Sequence, residues 1–157
     1  MRYKLYREQQ LKCDIQTAWN FFSSPMNLSE ITPKEMGFVV VSDLGRDEIV
    51  EGLIIDYFVS PILGIRLKWR TKITQVEKNK SFTDFQVHGP YTYWNHFHEF
   101  IPNGNGVLMK DTVDYELPMG LLGTVAHGIF VKRKLGRIFD YRYRVLEELF
   151  NQTKSKP

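Results

Sequence analysis

The sequence predicts an α+β fold in which a curved antiparallel sheet of about six to seven strands wraps around one long C-terminal helix, with two short helices after strand one. Residues 36–118 form runs of alternating apolar and polar side chains, separated by loops rich in Gly, Pro and Asn. Residues 125–150 carry apolar side chains at spacings of three, four and seven, the period of an amphipathic helix. A length of 157 residues is typical of one domain, so residues 1–157 are predicted to form a single unit.

Composition excludes several classes of protein. The net charge of +3 is small and the basic residues are spread along most of the chain, so no nucleic-acid partner is expected. Cys13 is the single cysteine, which excludes an intramolecular disulfide and a multi-cysteine zinc site. The first residues lack an apolar signal region, and no run approaches the roughly 18 apolar residues of a membrane span. We therefore expect a cytoplasmic protein.

The N-terminal third predicts one strand and two short helices. Residues 2–12 alternate loosely and form the first strand. Asp14 can accept hydrogen bonds from the free amides of a helix that begins at Ile15, where apolar side chains recur at helical spacing. Pro25 can open a second short helix over residues 25–31, before Pro33 ends it.

The central region predicts the rest of the sheet. Gly52 marks a bulge or sharp bend in its second run, and the third run alternates apolar residues with Arg66, Lys68, Arg70 and Lys72. In the fourth and fifth runs, one face mixes aromatic rings with titratable groups, which is unusual for a strand in a plain core. The predicted runs cover residues 36–42, 48–59, 65–73, 81–88, 93–100 and 107–118.

The last apolar pattern predicts a helix that is long compared with the domain. Pro118, Gly120 and Gly123 separate it from the last strand. Roughly thirty residues at about 1.5 Å each would extend about 45 Å. A helix of this length needs a matching groove, and an antiparallel sheet supplies one if it curls.

Three segments carry a resemblance to a known superfamily. They are DFQVHGPYTYWNHFHEF at 84–100, DTVDYELP at 111–118 and LGRIFDYRYRVLEELF at 135–150. Together with the order of elements, they resemble the SRPBCC superfamily, which includes START lipid-transfer domains and birch-pollen-allergen-like proteins. Within it, the chain is similar to the small bacterial ligand-binding and polyketide cyclase/dehydratase-like subgroup. The resemblance covers the whole chain and implies a helix-grip fold with a hydrophobic cavity between the sheet and the last helix.

The candidate ligand-binding residues are those whose strand faces would point at that helix. A slip of one residue in the strand register would turn them all outward. The alternatives are buried structural hydrogen bonds, or the solvated outside of the sheet. The predicted set is Trp69, Thr71, Asp84, Gln86, Trp94, His96, His98, Asp111 and Tyr115 from the strands, with Ile129 from the helix.

Two functions from different classes fit this set. The preferred interpretation is a protein that binds a small hydrophobic molecule, such as a lipid, isoprenoid or polyketide-like compound, without a dedicated cofactor. The alternative is a cyclase, dehydratase or hydrolase, with His96 or His98 as acid or base and Asp84 or Asp111 orienting the ring. The pair His96 and His98 with one of these aspartates would also offer metal ligands, but His-x-His is a weak pattern and no metal is predicted.

A basic cluster accompanies the last helix. It is interpreted as a solvated face, with attraction to anionic lipid headgroups or to an acidic partner as the alternatives. A protein that only docks a partner through this face is a third functional hypothesis, and no oligomeric state is predicted. Cys13 precedes a helix start, which could lower the pKa of its thiol. The cluster comprises Lys132, Arg133, Lys134, Arg137, Arg142 and Arg144.

Overall fold

The computed structural model describes residues 1–45, 47–62, 64–118, 125 and 127–152. Within these residues seven strands form one sheet, with helices before and after the meander of strands β2 to β7. The elements are β1 (Arg2–Leu11), α1 (Ile15–Phe22), 3-10 helices at Pro25–Ser29 and Lys34–Met36, β2 (Val39–Val40), β3 (Ile54–Ile62), β4 (Ile65–Glu77), β5 (Ser81–His88), β6 (Tyr93–Asn103), β7 (Gly106–Glu116) and α2 (Lys132–Leu146).

Every pair of neighbouring strands is antiparallel. The order across the sheet is β1-β7-β6-β5-β4-β3-β2, so β1 joins the far edge of a simple meander. Register shifts between Arg70 and Thr71, and again between Ile73 and Gln75, interrupt the pairing of β4 with β5. Bulges of this kind increase local twist and bend a strand. The curved sheet and long C-terminal helix confirm the predicted helix-grip fold.

The segment after β1 forms as the sequence predicts, because its polar caps are in place. The Asp14 carboxylate accepts a hydrogen bond from the Thr17 amide at 2.7 Å, which satisfies a free donor in the first turn of α1. Pro25 opens the second helical segment, which is a 3-10 helix rather than an α-helix. A third short helical turn follows at Lys34–Met36 and was not predicted.

Two strands are shorter or shifted relative to the prediction. Only Val39 and Val40 of the run 36–42 pair with β3. The run predicted to begin at residue 48 enters the sheet at Ile54, because Gly52 adopts a φ of 87° in a turn and donates its N–H to the Ile73 carbonyl. Gly52 and Leu53 therefore lie opposite the single residue Ile73, which hydrogen-bonds to both, as in the bulge that the sequence predicts at Gly52.

The C-terminal helix begins and ends in π-helical turns. These turns cover His127–Val131 and Glu147–Asn151, on either side of α2. Helix α2 buries one stripe of side chains against the sheet: Leu135, Phe139, Arg142 and Leu146. Gly120 and Gly123, predicted to lie between sheet and helix, are outside the described residues.

Two groups of buried apolar side chains fill the space between sheet and helices. One surrounds Trp19 of α1 and includes Phe100 and Leu146; the other surrounds Trp69 and Trp94. The second group lies beneath the first half of α2 and forms much of the wall of the candidate site. In the described part of the chain, no helix has the length and apolar character needed to cross a membrane.

Candidate functional site

A cavity of about 180 Å³ lies between the concave face of the sheet and α2. Its wall is built mainly of aromatic and aliphatic side chains from β3 to β6, from α1 with the 3-10 turns that follow it, and from α2. The apolar lining includes Phe22, Leu28, Ile31, Met36, Phe38, Ile55, Tyr57, Val59, Trp69, Ile73, Phe82, Tyr91, Trp94, Leu135, Ile138 and Phe139.

Aromatic rings pack against each other along one side of the cavity. The Trp69 ring stacks on Tyr57 with centroids 5.8 Å apart, and meets Trp94 edge to face at 5.4 Å. Tyr91 covers Trp94 at 4.7 Å. Such contacts contribute about 0.5–1.5 kcal/mol each beyond area burial, so this side of the cavity is a closely packed aromatic surface.

Thr71 holds two of these rings in place. Its hydroxyl oxygen accepts a hydrogen bond from Trp69 Nε1 at 3.2 Å and lies 3.0 Å from the Tyr57 hydroxyl. The residue is buried, and its strand position faces Ile55 of β3. Burial raises the pKa of Tyr57, so its hydroxyl stays protonated and available as a hydrogen-bond donor.

Four titratable side chains meet at one place on the wall, and we call Asp84, His96, His98 and Asp111 the Asp–His cluster. Strand pairing brings them together, because Asp84 lies opposite His96 and His98 lies opposite Asp111. The Asp84 Oδ2 atom is 2.9 Å from His98 Nε2 and 3.5 Å from His96 Nδ1. The two imidazole rings lie almost in contact, with centroids 3.7 Å apart.

Asp111 supports both histidines from behind. Its Oδ1 atom is 3.0 Å from His96 Nε2, with which it makes a hydrogen bond. The same oxygen is 2.8 Å from His98 Nδ1, but the atoms are poorly aligned and this contact is electrostatic only. Asp111 is 1% exposed, and its second oxygen lies 3.9 Å from the buried Arg142 guanidinium. Arg142 also stacks over Phe139 at 4.8 Å.

The environment moves the pKa values of the two histidines in opposite directions. Burial and the neighbouring His98 ring outweigh the carboxylates at His96, so its pKa is lowered. Burial also acts against charge on His98, but Asp111 and Asp84 together outweigh it and raise the pKa of this ring. Burial opposes ionisation of the carboxyls too, yet the histidines lower the pKa of Asp84 and hold that of Asp111 well below its usual range.

These directions define the charge of the cluster between the two histidine pKa values. Two carboxylates face one imidazolium, and the Arg142 guanidinium supplies the second positive charge. The whole group is therefore neutral, which is the arrangement that a buried set of charges needs. It presents both hydrogen-bond donors and acceptors to the cavity, since Asp84, His96, His98 and Arg142 all line it.

The structure brings together most of the predicted site residues. Six of the ten line the cavity: Trp69, Thr71, Asp84, Trp94, His96 and His98. Asp111 and Tyr115 are buried one layer behind the wall, Asp111 against the histidines and Tyr115 against Trp94 and Tyr91.

The other two predicted residues do not line the cavity. The Gln86 side chain holds the Tyr91 backbone instead, donating to its carbonyl at 2.7 Å and accepting from its amide at 3.3 Å. A Cβ atom on Gly89 would lie 2.4 Å from Gln86 Oε1, so a larger residue there would displace the Gln86 side chain from these contacts. Ile129 is 51% exposed, because it lies six residues before Leu135, about 120° around the helix axis from the buried stripe of α2.

Several residues of the cavity wall were not predicted. Arg142 was placed in the basic cluster, although it lies three residues after Phe139 and four before Leu146, on the apolar stripe of the helix. Tyr57 and Phe38 carried no signal beyond aromatic character. Tyr91 follows Gly89-Pro90, and the sequence indicated only that it belongs to that turn.

The remainder of the basic cluster is divided between solvent and cavity. Lys132, Arg133, Arg137 and Arg144 are exposed, as expected for a solvated face, whereas Lys134 is half-buried and lines the cavity. The position of Cys13 before a helix start, which could lower the pKa of its thiol, does not do so here. Burial and the neighbouring Asp14 carboxylate raise the pKa of this thiol, and they outweigh the hydrogen bond from the Ala18 amide.

Comparison with known proteins finds the same fold in solved structures of low sequence identity. No family model matches the chain, and no curated protein matches its sequence. Major latex-like protein 151 from Panax ginseng superposes with a TM-score of 0.69 at 16% identity, over 97% of this chain and 99% of that one. A protein from Thermus thermophilus, TTHA0849, superposes with a TM-score of 0.69 at 14% identity, over 94% of this chain and 95% of that one.

A third similar structure is protein CV1439 from Chromobacterium violaceum, with a TM-score of 0.69 at 10% identity, over 96% of this chain and 99% of that one. All three matches extend over nearly the full length of both chains. At such low identities they establish the fold and carry no information about ligand or reaction.

Proposed function

We propose that this protein binds a small, largely aromatic molecule in the cavity, with one hydroxyl or carbonyl group directed at the Asp–His cluster. The observation that carries this proposal is the composition of the wall, in which packed aromatic and aliphatic side chains surround one patch of carboxylate, imidazole and guanidinium side chains. Ligand pockets are typically built this way, from an apolar surface and a few convergent polar groups.

The volume sets the size of the ligand. A cavity of roughly 150 Å³ holds one benzene ring, and the cavity here measures about 180 Å³. The ligand therefore has one ring or two fused rings. A long acyl chain would have to extend through the mouth of the cavity, so we place small ring compounds ahead of lipids.

The hydrogen-bonding groups of the Asp–His cluster set the polar group of the ligand. A hydroxyl can donate to Asp84 Oδ2 and accept from a histidine nitrogen, which matches the mixture of acceptors and donors on the wall. With this ligand class, the chain is proposed to belong to the small bacterial ligand-binding group of the SRPBCC superfamily.

The test begins with native mass spectrometry of the purified protein, followed by identification of any small molecule that it carries. Isothermal titration with indole, phenols, naphthols, isoprenoids and fatty acids then measures affinity. We expect binding of one molecule per chain for compounds of one or two rings. Absence of any carried molecule, together with no binding across this panel, would remove the proposal.

A matched pair of variants places the binding in the cavity. Ile138 is half-buried on the wall, whereas the adjacent Arg137 is exposed. In Ile138→Trp the indole enters the cavity, and an overpacking cost of about 1–3 kcal/mol corresponds to about 5- to 150-fold weaker binding. Arg137→Trp adds the same group outside and keeps the affinity of the parent protein. Equal losses in both variants would show that the ligand binds elsewhere.

A second candidate function is acid–base catalysis on the same ligand class, of the cyclase or dehydratase type. The observation that favours it is the pair of carboxylates, Asp84 and Asp111, that flank both cavity-facing imidazoles and fix the orientation of the rings. His96→Gln and His98→Gln distinguish the two candidates. An enzyme loses turnover by about 10²- to 10⁴-fold, whereas a binding protein shows only a modest loss of affinity.

A further inference from the structure

Three side chains of the Asp–His cluster have the donor atoms and spacing of a metal site. Asp84 Oδ2, His96 Nδ1 and His98 Nε2 lie on neighbouring strands, and ligand atoms of the three residues fall within 4.8 Å of one another. The carboxylate oxygen is 3.5 Å from the first nitrogen and 2.9 Å from the second. Tetrahedral coordination with bonds of about 2.0–2.1 Å requires separations of about 3.3 Å, so the carboxylate oxygen lies within about 0.5 Å of the required distance from each nitrogen.

Asp111 completes the arrangement from the opposite side of both rings. The nitrogens that do not face Asp84 are His96 Nε2 and His98 Nδ1, and both lie within 3.0 Å of Asp111 Oδ1. Histidines that bind metals usually donate their other ring N–H to such a carboxylate, which fixes the tautomer and orientation of the ring. One carboxylate here supports two histidines at once.

The cluster is less complete as a plain hydrogen-bond network. His98 Nδ1 is buried and has no aligned hydrogen-bond partner, although Asp111 Oδ1 is 2.8 Å away. A small rotation of the His98 ring toward an ion shared with Asp84 would change the angle between the Nδ1–H bond and Asp111 Oδ1. The Asp84 carboxylate is the most exposed member of the cluster, at 20% for its side chain, so the three donor atoms can be reached from the cavity.

We propose that Asp84, His96 and His98 bind one divalent transition-metal ion of the Zn²⁺ type, with Asp111 orienting both histidines and with the remaining coordination position open to the cavity. Two imidazoles and one carboxylate favour Zn²⁺ and similar ions over Mg²⁺ or Ca²⁺, which take oxygen ligands. This inference is independent of whether the cavity also holds an organic molecule. Where both bind, the open position would take the polar group of the ligand.

The experiment uses the full chain after treatment with a chelator. Isothermal titration with Zn²⁺ gives stoichiometry and affinity, and titration with Co²⁺ reports geometry through its visible absorption. We expect one ion per chain, a Co²⁺ spectrum of four or five ligands, and an increase in the midpoint of thermal unfolding. If the parent protein binds no ion at one per chain, or only with the spectrum of hydrated Co²⁺, the proposal is overturned and the cluster is a hydrogen-bond network.

Variants assign the ligands. His96→Gln and His98→Gln each remove one donor atom, and we expect affinity to fall by at least about 100-fold; Asp111→Asn removes only the supporting charge, and we expect a loss of about 10- to 100-fold. His88→Gln is the control, because this histidine is exposed at the end of β5. Circular dichroism verifies folding in each variant. Unchanged metal affinity in both His96→Gln and His98→Gln, or an equal loss of affinity in His88→Gln, contradicts the assignment of the ligands.

Discussion

The Thr71 hydroxyl gives a direct test of how dry the cavity wall is. Replacing Thr71 with Val keeps the shape of the side chain and removes the oxygen that serves two ring residues. Trp69 Nε1 then loses its acceptor at 3.2 Å, and the Tyr57 hydroxyl loses its partner at 3.0 Å. Thr71 itself is only 3% exposed, so bulk water does not reach this position directly.

The magnitude follows from these contacts. A buried donor left without a partner costs about 1–3 kcal/mol, and this substitution leaves two such donors. The new methyl group returns about 0.8 kcal/mol of apolar burial. With about 1.5 kcal/mol for each donor, the free energy of unfolding should fall by about 2 kcal/mol.

Urea unfolding followed by circular dichroism measures this change. With a slope of about 2 kcal/mol per molar, a loss of this size lowers the midpoint by about 1 M. Thr74→Val is the matched control on the same strand, since Thr74 is exposed and its hydroxyl reaches the Thr83 carbonyl only at 3.5 Å. We expect the control to stay within about 0.5 kcal/mol of the parent protein.

A Thr71→Val protein as stable as its parent would refute this reasoning. That result would mean that water in the cavity accepts both hydrogen bonds. The wall around Trp69 and Tyr57 would then be wet, and the proposal of a small aromatic ligand would lose its physical basis.

Three further predictions concern other parts of the structure. Arg142→Met leaves a buried carboxylate without its guanidinium and should lower the free energy of unfolding by about 3 kcal/mol. Arg144→Met removes an exposed charge and should have no measurable effect. Equal effects of the two substitutions in urea titrations would contradict the core position of Arg142. Because the pKa of Cys13 is raised, less of its thiol ionises at a given pH, so alkylation between about pH 7 and 8.5 should be slower than for a free thiol of ordinary pKa; a faster reaction would disprove this. Leu146→Ala empties a fully buried position and should lower the free energy of unfolding by about 2–5 kcal/mol. The same substitution at the half-exposed Leu149 should lower it by less than about 1 kcal/mol. Thermal unfolding measures both changes.

The fold was predictable because each element has a local sequence pattern. Alternation over 65–73 and apolar spacing along α2 report which face of each element is buried. Joining successive strands by short turns placed Asp84 or Asp111 across from His96 and His98, and the structure pairs Asp84 with His96 and His98 with Asp111. Hairpin register is fixed by the turns, so four chemically related side chains could be placed near one another from sequence alone.

The remainder depends on geometry that the periodic pattern does not carry. Arg142 reads as a polar residue, and only the packed structure shows that its position between Phe139 and Leu146 faces the core. Ile129 has the spacing of Val125, but it lies about 120° around the helix axis from the stripe that begins at Leu135, and only the packed structure shows which stripe is buried. The run 36–42 has strand composition, yet only two of its residues pair.

The pairing of β1 with β7 has a consequence for synthesis on the ribosome. Arg2 pairs with Glu116 and Leu11 with Val107, so β1 is made about a hundred residues before its partner. At roughly 5–20 residues per second the strand waits about 5–20 s for β7. During this time its backbone donors and acceptors are open to wrong partners. Four of its ten residues are charged, and such residues act as gatekeepers that discourage aggregation until the sheet closes.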